Sequence, residues 1–301
     1  MVKGIFAERK ALFRFFFLFV SLLFWFSLLQ LLGIGLVEVL YGVSAESLFA
    51  NGQINAWNAL SRNALRLLQF FAVSGLFVAG PAFYIYFTQH NPERFAGLNT
   101  NPKVEASFWL VVGMLALSPL VDGILRLSQH VLSLYLPNNW WQNLELAHEK
   151  ALDQMAIFLE CANWGEWALA FIVVACLPAL AEEFFFRGVL QPELQRYLGL
   201  HTGIWLASLV FALVHGQVMH FPGLLLFGLA LGYVRQYGKS LWYSILAHFA
   251  NNAAVFFMVL GESDIRSALD SGNTWLIWWQ YALAFVAALA IWGRLIYLFK
   301  K

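Results

Sequence analysis

Residues 181–188, Ala181-Glu182-Glu183-Phe184-Phe185-Phe186-Arg187-Gly188, set two adjacent carboxylates and a guanidinium inside an apolar run long enough to enter a bilayer. Each such group near the centre of a membrane helix costs about 2.5–3.5 kcal/mol on insertion scales. Three together oppose insertion unless they pair with one another or line a protein cavity, so they mark a functional region. On a helix Glu183 and Arg187 are i,i+4 in the favourable Glu-first order, whereas Glu182 lies about 140° round the axis from Arg187. Glu182 is therefore the more available carboxylate. A structural ion-pair knot locking helices together is the competing reading of the cluster alone.

The surrounding chain makes the membrane reading general. Its 301 residues are 61% hydrophobic, 17% aromatic and only 12% charged, with a mean hydropathy of +0.68. That composition excludes an ordinary soluble domain and points to an all-α, polytopic membrane bundle. The net charge of +1 calls for no nucleic-acid partner. Cys161 and Cys176 form neither a disulfide framework nor a thiolate metal site. The stretch Phe15 to Val37 is too long for a signal-peptide core and reads as a retained first span.

Seven further spans are expected: 67–88, 106–125, 167–187, 203–214, 218–234, 241–260 and 274–297. Asp122 and Arg126, at i,i+4, would end the third as a self-neutralising pair. The insertion 137–166 reads as an interfacial or short soluble helix. Pro178 frees the carbonyl of Val174, so distortion is expected one turn before the carboxylates. Gly228 and Gly232 form a small-xxx-small face for close packing. With eight spans and both termini cytoplasmic, the outer segments hold only Arg62, Arg66, Arg126, Lys150 and Arg266 of the 18 Lys and Arg, as the positive-inside bias requires. No repeat or linker divides the chain. We parse it as an N-terminal region (1–166), a core (167–260) and a last span (261–301) within one membrane-embedded unit.

Two later spans bring polar groups to membrane depth. Phe211 and His215 share one helix face at i,i+4, and so do His248 and Asn252. Singly, each histidine reads more readily as a packing residue than as a base. His90, His130, His148 and His201 fall at span ends or in loops; His220 could line a water path or simply start a helix beside Pro222.

The three elements in order, Glu182-Glu183-x3-Arg187, Phe211-x3-His215 and His248-x3-Asn252, resemble the CAAX protease and bacteriocin-processing family of intramembrane proteases, related to the type II CAAX prenyl endopeptidase. Gly238-Lys239-Ser240-Leu241-Trp242 before Ala247-His248 is also similar to that family. The resemblance implies an intramembrane endopeptidase acting on a membrane-bound protein or peptide, lipidated or not. Glu182 with His215 would activate water, His248 and Asn252 would stabilise the oxyanion, and Glu183, Arg187 and Phe211 would support them. A zinc ion held by Glu182, His215 and His248 is an option, although the chain has no His-Glu-x-x-His pair. The absence of an organellar targeting signal suits a prokaryotic cytoplasmic membrane. A transporter with a buried proton relay, or a non-catalytic immunity or scaffold protein, would need some of the same groups. Counting from the expected inner ends of the spans leaves Glu182 about 8 Å deep and His215 about 20 Å deep, a gap that convergence must close.

Overall fold

Ten helices account for most of the described residues of the computed structural model, which are 3–44, 46, 61–259, 265 and 278–300. They are α1 Ala11–Tyr41, α2 Arg62–Thr88, α3 Pro92–Ala96, α4 Val104–Tyr135, α5 Asn138–Leu159, α6 Trp164–Leu198, α7 Leu200–Val214, α8 Phe221–Gly238, α9 Leu241–Met258 and α10 Trp278–Lys300. Among the described residues there is no strand. The protein is an all-α membrane bundle. Positions 260–264 and 266–277, where the end of the expected 241–260 span and the start of the last span fall, lie outside the described residues.

Five helices are long and apolar enough to cross a bilayer: α1, α2, α4, α6 and the 283–300 part of α10. The expected eight would require α7, α8 and α9 as well. Of these α7 is short, at 15 residues, while α8 and α9, at 18 each, carry polar groups such as Arg235, His248 and Asn252. The count of eight is thus not established. Outward-facing Leu and Phe side chains on α1, among them Leu12, Phe16, Phe24 and Leu31, are exposed, as a lipid-facing surface demands.

The interior is built from α4, α6, α7, α8 and α9, with α10 packed along α4 and α1 along α2. Close helix approach depends on glycine at a few points. A Cβ at Gly232 would come within 2.8 Å of Ile204 Cγ2, and one at Gly228 within 3.1 Å of Ser208 Cβ, so the expected small-residue face of α8 does pack against α7. On α2, a Cβ at Gly75 would lie 2.6 Å from the backbone oxygen of Trp25 on α1.

Proline shapes α2 and α6. π-helical turns occupy Ser74–Ala79, Ile172–Cys176 and Phe186–Leu190, and each precedes a proline by one intervening residue: Pro81, Pro178 and Pro192. Proline lacks an N–H and its ring crowds the carbonyl one turn back, so the helix widens upstream to i→i+5 bonding. The distortion expected at Pro178 is present in this form.

Two expectations are corrected. Asp122 and Arg126 do pair, at 2.9 Å, but α4 continues past them to Tyr135, so the pair lies within the helix and does not end it. The carboxylate-bearing helix runs on to Leu198. Glu182 therefore lies near the middle of this helix rather than near its end. The insertion is helical over Asn138–Leu159, with Trp141, Leu144, His148 and Leu152 half-buried on one face and Glu145 and Asp153 exposed. That spacing is the amphipathic pattern of an interfacial helix.

Candidate active site

Glu182 and Glu183 follow the Pro178-distorted turn of α6, and their different facings on the helix separate their surroundings. Glu183 is fully buried. Its Oε1 accepts from Arg187 Nη1 at 2.8 Å and lies 2.9 Å from His248 Nδ1 on α9. Arg187 also donates to the carbonyl of Gly228 on α8 at 3.0 Å, and its guanidinium lies 4.5 Å from the centre of the Phe211 ring, a cation–π geometry. One carboxylate and one guanidinium thus join α6, α8 and α9 and touch α7.

Glu182 is partly exposed and faces α7. Its Oε2 lies 3.9 Å from His215 Nε2 and, among the described residues, has no hydrogen-bond partner. His215 closes α7, its Nδ1 2.6 Å from the carbonyl oxygen of Phe211. A carbonyl can only accept, so Nδ1 carries the proton and, in the neutral ring, Nε2 presents a lone pair. Glu182 Oε2 and His215 Nε2 are then two acceptors facing each other across a gap. A water giving a hydrogen bond of ~2.8 Å to each would span roughly 4.4 Å, so the buried Oε2 and Nε2 must part by about half an ångström to admit one.

A cavity of about 320 Å³ adjoins this pair. His215, His248, Asn251 and Asn252 give it a polar side, while Met114, Leu117, Val121, Leu224 and Val255 contribute apolar surface. Glu182, Glu183 and Arg187 do not line it and meet it through His215 and His248. Phe211 is buried between the histidines, its ring 4.6 Å from His215 and 6.1 Å from His248. All seven residues singled out in the sequence therefore gather around one wall of one cavity. Asn252 Oδ1 is 3.4 Å from Asn251 Nδ2.

Two features escaped the sequence reading. Glu183 bridges Arg187 and His248, which the i,i+4 rule could not show because His248 is 65 residues away. Asp122 and Ser118 of α4 also line the cavity; the charge of Asp122 inside an apolar helix was the available signal. His220 both lines the cavity and immediately precedes α8, so each of its two alternatives describes part of its position. Its ring lies 5.1 Å from that of His148 on α5.

The donor set does not fit a metal ion as it stands. Among the described residues no group of three or more His, Cys, Asp or Glu side chains is arranged to hold one. The Nδ1 contacts of His215 and His248, to the Phe211 carbonyl and to Glu183, leave Nε2 as the remaining nitrogen of each ring.

Residues 164–254 match the family model described as type II CAAX prenyl endopeptidase Rce1-like. The matched stretch begins at the first residue of α6 and contains Glu182, Glu183, Arg187, Phe211, His215, His248 and Asn252. It supports an intramembrane CAAX endopeptidase of this general kind. No significant match to the chain emerges from curated proteins or from solved structures.

Proposed function

We propose that this protein is an intramembrane endopeptidase in which Glu182 and His215 hold and deprotonate the water that attacks a peptide carbonyl. The observation that carries the reading is the pair of facing acceptors, Glu182 Oε2 and His215 Nε2, 3.9 Å apart. A water between them gives a proton to each, which turns its own lone pairs away from both and towards a substrate in the adjoining cavity. In the attack the oxygen–carbon bond forms as the water proton passes to this pair, and the same proton is then delivered to the leaving amine.

The carbonyl oxygen gains negative charge in that step. Asn252 has an amide N–H₂ to offer it from the polar wall of the cavity. His248 can contribute only as an imidazolium, because its Nδ1–H is directed at Glu183; the ring charge then sits against that carboxylate. Glu183 and Arg187 act by fixing the orientation of His248 and the approach of α6, α8 and α9. Phe211 spaces the two imidazoles. No step is routed through a metal.

The substrate is a membrane-associated protein or peptide presenting an extended segment with an apolar side chain to the cavity. With eight spans, the Lys and Arg distribution favours both termini in the cytoplasm. The test is cleavage of a membrane-peptide library by purified wild type and Glu182→Gln, matched for folding, with and without chelator. The expected result is activity in the wild type that resists chelator and falls by about 10²–10⁴-fold in the variant. Loss with chelator would transfer water activation to a metal. Solute uptake that survives Glu182→Gln would favour a transporter.

A further inference from the structure

Behind Arg187, on the side away from His248, α6 and α8 enclose a second cavity of about 240 Å³. It is lined by Arg187, Arg235, Lys239, Gln191, Gln195 and Gln236, with Pro192 and Phe95 completing the wall, and no carboxylate faces it. Gln191 is buried and donates Nε2 to the carbonyl of Gly232 at 3.1 Å, while Gln195 donates to Gln236 Oε1 at 2.9 Å. These bonds hold α6 and α8 apart at the width of the cavity.

Arg235 is the unusual member. Its guanidinium reaches the carbonyl of Phe95 at 3.5 Å, its buried Nε has no hydrogen-bond partner, and no ion-pair partner exists for it among the described residues. The nearest buried acid along α6, Glu193, is committed to Arg14 and Gln89. The backbone is nevertheless arranged to hold Arg235: Gly97 has φ +78° and a Cβ there would collide with the guanidinium. Leu241 N–H to the Gly97 carbonyl, 2.9 Å, and Trp242 Nε1–H to the Leu98 carbonyl, 3.1 Å, clamp that loop in place. Arg235 is half-buried, with its Nε shut off from water and no counter-charge beside it, an arrangement that an anionic partner would stabilise. Gln191 Oε1, also buried and without a donor, suits a ligand that carries a hydroxyl besides its charge.

We propose that this cavity is a binding site for a phosphate-type oxyanion, held by Arg235 and Lys239 with Gln191 accepting from a ligand hydroxyl. Hydrogen phosphate and the phosphoglycerol headgroup of an anionic lipid both present that chemistry. Arg187 forms the wall shared with the Glu183–His248 contact, so the site lies one side chain from the proposed catalytic cluster but does not depend on it.

The test uses the full chain in neutral detergent, titrated with sodium phosphate against sodium chloride at equal ionic strength. In parallel, the chain is reconstituted in phosphatidylcholine vesicles with and without phosphatidylglycerol. A saturable rise of several degrees in melting temperature is expected in wild type and not in Arg235→Met. A response to phosphate assigns a free anion, and a response to phosphatidylglycerol alone assigns the lipid. No saturable rise in either arm, or the same rise in Arg235→Met, overturns the proposal. Should Arg235→Met fail to fold, Lys239→Met, at an exposed position, takes its place, with a weakened saturable response expected and an unchanged one overturning the proposal.

Discussion

Arg187 shows how much one side chain can hold. It pairs with Glu183, donates to Gly228 and packs on Phe211, and it is 1% exposed. Replacing it by Met leaves Glu183 with only His248 in a water-poor interior. Breaking one partner out of a buried pair costs about 3–5 kcal/mol, while replacing both charges by apolar groups is often close to neutral. Arg187→Met should therefore lower the melting temperature sharply, and Arg187→Met with Glu183→Leu should recover much of it, with activity still lost because His248 has no anchor. Asn252→Ala should fold normally and lose about 10²–10³-fold in kcat, the usual cost of one oxyanion donor; equal kcat in the variant would remove Asn252 from the chemistry. Spacing put the members of each i,i+4 pair on one helix face, and the resemblance of the three motifs in order singled out these positions. Spacing could not reveal which of two adjacent carboxylates would meet which histidine, since that depends on how α6 is rotated against α7 and α9.

At the scale of elements, the seam between α7 and α8 is the tightest test. Gly232→Leu would drive a side chain into Ile204 and Gln191, so loss of folded protein in a detergent unfolding assay is expected, with Gly35→Leu, whose Cβ meets nothing within 4 Å, as the tolerant control. The loop before α8 carries a pH signature. Burial first, and the charge of His148 second, push His220 down to about 4 from an ordinary value of 6.5. The unfolded chain therefore takes up this proton before the folded one does. Stability from this residue is complete above pH 6.5 and is lost as pH falls towards 4, by about 2 kcal/mol at pH 5. Melting curves from pH 7 to 5 should be flatter for His220→Gln than for wild type; identical slopes would show that His220 is not buried against α5. The apolar pattern marked most of these helices, but not their ends. α6 outruns its expected limit because Gln191, Glu193 and Gln195 look like a loop in sequence and are satisfied only by partners on other helices, Gly232, Arg14 and Gln236.

Across the whole molecule, charges that read as flanking cations turn out to be internal ties. Arg14 is buried and pairs with Glu193, 179 residues away, and also donates to the carbonyl of Thr88. Arg66 is buried and donates to the carbonyls of Phe158 and Glu160, joining α2 to the end of α5. Nothing local distinguishes such residues from solvated ones, because their partners come from distant segments. The motif residues were legible for the opposite reason: carboxylate, guanidinium and imidazole within apolar helices are conspicuous where they stand. The central claim, that Glu182 and His215 act on one water as a unit, is tested most directly by a double-mutant cycle in kcat/KM on a cleaved substrate. Glu182→Gln and His215→Ala should each lose at least about 10²-fold, and the double variant should lose no more than the worse single one. Losses that multiply, or a Glu182→Gln enzyme that cleaves at the wild-type rate, would contradict it.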